Sequence, residues 1–336
     1  MSRCFSPILI TPKMKNYNGK AQTASPDTPF MPVPCGQCIG CRLNRAENWA
    51  TRMMHEAQLH DYNSFITLTY DDDNLPADGS LRPDDVTRFF KRLRKSLNGK
   101  KIKYYYCGEY GDNFSRPHYH IALFGHDFSN DRFPHRLSGE TAIYRSPTLE
   151  KLWPYGFSEI GSLEYDSARY VASYVQKKVN GKKKDEHYQR ISEDGEIIPV
   201  HPEYARMSRR PAIGAQWFDQ YHEDVYNYDV CIVGEKKLRP PAYYDKLLKL
   251  KDPALYEKIK ISREASMLDA LPDVSRLTKT YEAKVIASKK VTRSLEGLPA
   301  HLPDSERLAY LKQRHDEYHL HLKEKQNANS RNRNDL

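Results

Sequence analysis

No stretch of this 336-residue chain approaches the roughly 20 uninterrupted apolar residues of a membrane span, which excludes a helix-spanning membrane protein. The first twelve residues, Met1 to Pro12, lack the long apolar region of a secretory signal, so a soluble cytoplasmic protein is expected. Cysteine is scarce. There are six, at 4, 35, 38, 41, 107 and 231, and three of them crowd into Cys35 to Cys41. Cys-x-x-Cys spacing suits metal or redox chemistry better than a disulfide framework. The chain has no Gly-x-x-x-x-Gly-Lys-Ser/Thr phosphate loop, which argues against an ATP-driven motor, and it carries no internal repeat. Apolar residues are also sparse, at 39% with a mean hydropathy of −0.81, so a heavily charged surface and some poorly ordered chain are expected. What the chain has in excess is positive charge. Fifty-three Lys and Arg outweigh 44 Asp and Glu, for a net charge of +9 and a pI of about 9.0. That balance calls for a polyanionic partner, nucleic acid first and acidic membrane second.

Periodicity sketches the elements. Leu43, Ala46, Ala50, Met53 and Ala57 recur at helical spacing within Arg42 to His60. Ser64 to Tyr70 is β-branched and aromatic, hence a strand. Asp84 to Leu97 predicts a helix with Val86, Phe89, Phe90, Leu93 and Leu97 on one side and basic residues on the other. Ile102 to Glu109 and His118 to Phe124 read as a hairpin, Phe157 to Leu163 as a weaker strand, and Asp166 to Val179 as a helix capped by Asp166 or Ser167. This order implies an α+β fold, an antiparallel sheet with packed helices, followed by a charged helical C-terminal region with a frayed end. Four segments are expected: a Cys-rich segment and helix over 1–60, a core over 61–184, a basic Pro- and aromatic-rich extension over 185–260, and a charged helical tail over 261–336.

Chemistry concentrates in Arg116 to Phe124. Residues two apart on a strand share a face, so His118 and His120 project together while Tyr119 and Ile121 enter a core. Two imidazoles need a third ligand to hold a cation. Glu109, ending the preceding strand, reaches them only if the hairpin register places it opposite or diagonal to His118, and a one-residue slip turns it away. Taken alone, His-x-His is a short pattern that arises by chance on exposed sheets. On the later helix Tyr170, Tyr174 and Lys177 line one face about a turn apart, and Val171 and Val175 anchor an adjacent one. Taken alone, such a tyrosine pair is ordinary core. Together they answer one chemical need. A phenol of pKa about 10 is a poor nucleophile at neutral pH unless a cation offsets charge on the phosphate it attacks and a lysine favours its phenolate. Thr67 and Thr69 alternate onto one face of their strand and can line the same site.

The strand Phe65 to Tyr70, the His118-Tyr119-His120 strand and the helix Tyr170 to Lys178, in that order, resemble the three motifs of the HUH endonuclease superfamily. Two tyrosines four apart, with the N-terminal Pro34 to Cys41 run, resemble the rolling-circle replication initiators of small single-stranded DNA phages of the gokushovirus type. The resemblance implies a ferredoxin- or RRM-like core, and Mg²⁺ or Mn²⁺ on His118 and His120. It also implies origin nicking on circular DNA through a 5′-phosphotyrosine, a 3′-hydroxyl that primes synthesis, and rejoining by the second tyrosine. With no motor motif of its own, the protein would depend on a host helicase and polymerase in the bacterial cytoplasm. A one-tyrosine relaxase or transposase, and a non-enzymatic zinc-containing nucleic-acid-binding protein, are the competing readings.

Cys35, Cys38 and Cys41 stand at zinc-ligand spacing, with Cys4 as the fourth thiolate of a closed structural Zn²⁺ site; the competing reading is reduced free thiols. Cys107 and Cys231 read as buried residues. Arg88, Lys91, Arg92 and Lys95 on one helix, with Lys178, Lys182 and Lys183 after the tyrosines, are candidate phosphate contacts, the alternative being solvated surface. Oligomeric state is not readable from the sequence.

Overall fold

The computed structural model describes residues 4, 8–10, 31–111, 115–174, 187–191 and 195–269. In chain order the elements are β1 (Ile8–Ile10), β2 (Met31–Val33), α1 (Ile39–Ala57), β3 (Asn63–Tyr70), α2 (Pro83–Ser96), β4 (Lys103–Tyr110), β5 (Pro117–Phe124), β6 (Phe133–Ser138) and β7 (Thr141–Arg145). They continue with α3 (Pro147–Leu152), β8 (Gly156–Gly161), α4 (Tyr165–Tyr174), β9 (Gln189–Ile191), β10 (Ile197–Pro199), β11 (Tyr204–Met207), α5 (Ala215–Tyr228), β12 (Cys231–Val233), β13 (Lys236–Leu238), α6 (Ala242–Lys251) and α7 (Pro253–Asp269). The expected charged tail lies outside the described residues beyond α7.

The organising element is a seven-stranded antiparallel sheet in the order β11-β4-β5-β3-β8-β7-β6. This is the expected α+β class, and the sheet draws on more chain than the hairpin and two strands read from periodicity. β11 adds an edge beside β4, and the β6–β7 hairpin extends the other side. β6 is exposed throughout, so it carries no buried/exposed alternation from which a strand can be read.

Strict alternation along β3 and β5 divides the two faces. Ile66, Leu68, Tyr70, Tyr119, Ile121 and Leu123 are buried with Val86, Phe89, Phe90 and Leu93 of α2, Leu149 and Leu152 of α3, and Trp153. Each such side chain contributes about 1.5–3 kcal/mol on burial. Tyr119 enters this core as predicted, and its polar tip is satisfied there. Its hydroxyl accepts the Arg82 N–H at 2.7 Å and pairs with the Tyr70 hydroxyl at 3.2 Å, which donates to Asp85 at 2.6 Å. Burial pushes both phenols upward, so they stay neutral.

On the opposite face α1 and α4 cover only one end of the sheet. Ala46, Ala50 and Met53 of α1, with Ala168, Val171 and Ala172 of α4, pack on Tyr105, Cys107, Ala122 and Phe124. α4 begins one residue before the cap expected at Asp166. The Ser167 hydroxyl, two residues into the helix, accepts the Glu164 N–H at 2.8 Å. That is the return arm of a capping box, which sequence alone assigns to the wrong position.

The outer side of α1 meets α5 and α6. Glu56 accepts the Gly214 N–H at 2.8 Å, and the His55 ring stacks 3.5 Å from Trp217 with its Nδ1 3.0 Å from the Tyr244 hydroxyl. Burial depresses His55 to about 3 from an ordinary 6.5, so between those values the unfolded chain binds a proton that the folded chain refuses. Stability from this group is whole above pH 6.5 and declines as pH falls. Between pH 7 and pH 5 we expect His55 to account for about 2 kcal/mol of lost unfolding free energy. Urea unfolding of wild type and His55→Asn at both pH values measures it, and an equal loss in both proteins refutes it.

Among the described residues no helix is long and apolar enough to cross a membrane.

Candidate functional site

Register decides the third ligand. β4 and β5 pair with Glu109 directly opposite His118, and β3 pairs on the other side of β5 with Thr69 opposite His118 and Thr67 opposite His120. All five side chains therefore rise from the face that α1 and α4 leave open. The Glu109 carboxylate lies 2.9 Å from His120 Nε2, and both residues are buried. Thr67 Oγ1 stands 3.1 Å from His120 Nδ1 and Thr69 Oγ1 stands 3.0 Å from His118 Nδ1. Each threonine thus orients a ring and leaves its Nε2 for another ligand, the device by which an outer partner fixes the tautomer of a metal-binding histidine. Burial, with His120 and Arg116 nearby, holds His118 down at about 4, so its ring is neutral at physiological pH, as a metal ligand must be.

The donor set suits a hard or borderline divalent cation. Adjacent ligands on an octahedral ion with arms of ~2.1 Å stand about 3.0 Å apart, which the Glu109–His120 separation matches. His118 stands off from that pair, its ring centroid 6.5 Å from that of His120, so the set is open on its side. A further residue guards the gap. A Cβ on Gly111 would lie 2.8 Å from His118 Nε2, so glycine alone leaves that nitrogen accessible. The sequence reading passed over Gly111, because nothing in a single chain marks it until the β4–β5 loop is folded. Gly111→Ala is expected to weaken Mn²⁺ binding about 10–100-fold with the fold unchanged, by titration calorimetry. Unaltered affinity would separate Gly111 from the ligand set.

Tyr170 projects from α4 toward this pocket. Its ring packs edge-on to His120 at 5.3 Å and against Phe65 at 6.3 Å, and 45% of the residue remains exposed. It is neither buried in the core nor on the far side of the sheet. For Tyr174 only the backbone, at the last position of α4, is described, and Lys177, Lys178, Lys182 and Lys183 lie outside the described residues.

The other basic candidates fall elsewhere. Arg88, Lys91, Arg92 and Lys95 are on α2, which covers the sheet face opposite the histidines. Arg88 pairs with Asp85, and Arg92 donates to the Leu152 carbonyl at 2.9 Å, while Lys91 and Lys95 are exposed.

The four cysteines converge. Their sulfurs all lie within 4.8 Å of one another, with Cys4 Sγ 3.6 Å from Cys35 Sγ and 3.8 Å from Cys38 Sγ. Tetrahedral zinc with arms of ~2.3 Å spaces its sulfurs about 3.8 Å apart, so this cluster can hold a metal such as zinc. Three backbone N–H groups already point at sulfur: Cys35 to Cys4 at 3.3 Å, Gln37 to Cys35 at 3.4 Å and Cys38 to Cys35 at 3.3 Å. Cys38 caps α1, so the positive end of the helix also favours thiolate. Cys107 and Cys231 are buried, as expected.

An antiparallel sheet carrying a His-x-His strand beside a tyrosine-bearing helix has the form of an HUH-type core. A family model described as a replication-associated protein of the ORF2 type matches residues 63–179, the stretch from β3 through α4. The chain is 36% identical over 231 residues to replication-associated protein VP4 of Bdellovibrio phage phiMH2K, covering 66% of this chain and 68% of that protein. It is 32% identical over 248 residues to replication-associated protein ORF2 of Spiroplasma virus 4, covering 69% and 73%. With replication-associated protein ORF4 of Chlamydia phage 1 it shares 38% identity over 154 residues, covering 44% and 38%. No solved structure matches the chain significantly. The chain belongs to this family of phage replication-associated proteins, replication initiators of the gokushovirus type.

Proposed function

We propose that the protein initiates rolling-circle replication by cutting one strand of its origin and holding the end on Tyr170. The observation that carries this reading is the half-exposed Tyr170 ring, 5.3 Å from the ring of His120, on the open sheet face. The Tyr170 oxygen attacks the scissile phosphorus. The bond from phosphorus to the 3′ oxygen breaks, the proton lost by the phenol ends on that oxygen, and a 5′-phosphotyrosine ester remains. The liberated 3′-hydroxyl primes synthesis. Because the ester retains the phosphodiester's energy, a later 3′-hydroxyl rejoins the strand without ATP.

In this reading His118, His120 and Glu109 hold Mg²⁺ or Mn²⁺, which offsets charge on the non-bridging oxygens of the phosphate. Thr67 and Thr69 keep the imidazoles turned toward it, Lys177 favours the phenolate, and Tyr174 makes the second cut that releases a circle. Cys4, Cys35, Cys38 and Cys41 hold Zn²⁺ as a structural site. Origin DNA is the substrate, host helicase and polymerase are the partners, and the host cytoplasm is the place of action.

The test is covalent capture. Incubation with single-stranded oligonucleotides tiling the cognate genome should give an SDS-resistant adduct with Mn²⁺ and none with EDTA. Absence of an adduct with both Mg²⁺ and Mn²⁺ removes the nuclease reading and leaves a non-enzymatic binding protein.

A further inference from the structure

The open face continues past the histidines. Glu109 pairs with His118, His118 with Thr69, and Thr69 with Phe157 of β8, so these four residues form one rung straight across the sheet. With strands about 4.8 Å apart, Phe157 stands about 10 Å from His118 along that rung. Phe157 is 58% exposed although β8 is an internal strand between β3 and β7. A phenylalanine left in water in mid-sheet, on the face that bears a candidate reaction centre, implies that something planar and apolar covers it in use. Its position is firmly set. Gly156 before it has φ +144° and a Cβ there would meet Asp71 N at 2.2 Å, so the start of β8 is locked against the end of β3.

Phe157 also lines a cavity of about 250 Å³ with Thr67, Thr69, His135, Arg145 and Glu159. The threonines that orient the imidazoles are thus one wall, and the β6–β7 hairpin is the other. The arginines on that side are matched by acids. Arg136 forms a two-pronged pair with Glu159 at 2.7 Å, and Arg145 pairs with Glu150 at 2.7 Å. The local charge is therefore close to balanced, and attraction here comes from the ring rather than from a phosphate clamp.

We propose that Phe157 is the stacking platform for an unpaired base adjoining the scissile phosphate of single-stranded DNA. This rests on the nuclease reading and adds the residue that positions the strand. Stacking of a base on an aromatic side chain tolerates any sequence, and its loss to alanine weakens binding about 5- to 150-fold. Being uncharged, it leaves the salt dependence alone.

The experiment measures anisotropy of a fluorescein-labelled single-stranded oligonucleotide of mixed sequence, in EDTA, across a salt series. Phe157→Ala and Phe157→Leu should each weaken binding by at least about fivefold with an unchanged slope against salt, and Phe157→Trp should restore it. Affinity unchanged in both Ala and Leu variants, or a weakening that Trp does not rescue, overturns the assignment. The adduct assay on wild type runs beside it. A wild type that binds through Phe157 but forms no adduct leaves the platform standing and removes the nuclease. A wild type that forms the adduct while Phe157→Ala binds normally does the reverse.

Discussion

Tyr170→Phe should abolish the SDS-resistant adduct, by at least about 10³-fold in the rate of a single cleavage, while leaving affinity for single-stranded DNA unchanged. The separation of the two effects follows from where the ring sits. Its packing against Phe65 and His120 is made by the ring, which phenylalanine keeps, and the residue is too exposed for its hydroxyl to be a buried structural group. Only the nucleophilic oxygen is lost. Tyr174→Phe should behave differently, retaining the first cut and losing transfer of a second end to close a circle. Gel analysis of a single-site oligonucleotide beside a two-site substrate distinguishes them. If Tyr170→Phe forms adduct at the wild-type rate and Tyr174→Phe does not, the roles are exchanged. If the double variant still forms adduct, neither residue is the nucleophile.

The histidine strand and its buried alternate residues were legible because a period of two is enforced wherever one face of a sheet is core. Tyr119 and Ile121 had to go inward, so His118 and His120 had to go outward. Whether Glu109 joined them was open, since that depends on a pairing register that a single strand does not contain. The β4–β5 pairing supplied it. Phe157 was invisible as a site residue for the same reason. Its strand was expected, but that it shares a rung with His118 depends on β3 lying between them, a long-range pairing with no local signal. The basic face of α2 shows the converse. Its charge was plain in the sequence, yet the helix covers the sheet face away from the histidines, because its apolar stripe is fixed to Ile66, Leu68 and Tyr119. Local pattern says which side of an element is apolar; only the pairing of elements says what lies opposite.

Loss of metal from the cysteine cluster should destabilise the protein without stopping its chemistry. Cys38 and Cys41 lie at the cap and in the first turn of α1, Cys35 in the turn before it, and Cys4 far upstream, so one ion would tie two remote stretches of chain to that helix. Ala46 and Ala50, a turn or two further along α1, pack on the sheet beside α4, so slackening the start of the helix loosens the layer that presents Tyr170. Yet none of the four thiols belongs to the open face that carries the histidines. Purified protein should therefore contain one zinc per chain. Cys38→Ser should lose it and melt about 10 °C lower, taking a few kcal/mol of metal-linked stability at roughly 3 °C for each. Adduct formation with Mn²⁺ should persist well below the lowered melting point and fail as that temperature is approached. Metal analysis and melting curves check the first two expectations, and adduct assays at two temperatures check the third. A protein free of zinc with unchanged melting in Cys38→Ser would return the cysteines to ordinary thiols. Complete loss of cleavage in a folded Cys38→Ser protein at low temperature would instead place the cluster in the reaction itself, against the separation of the two sites seen in the sheet.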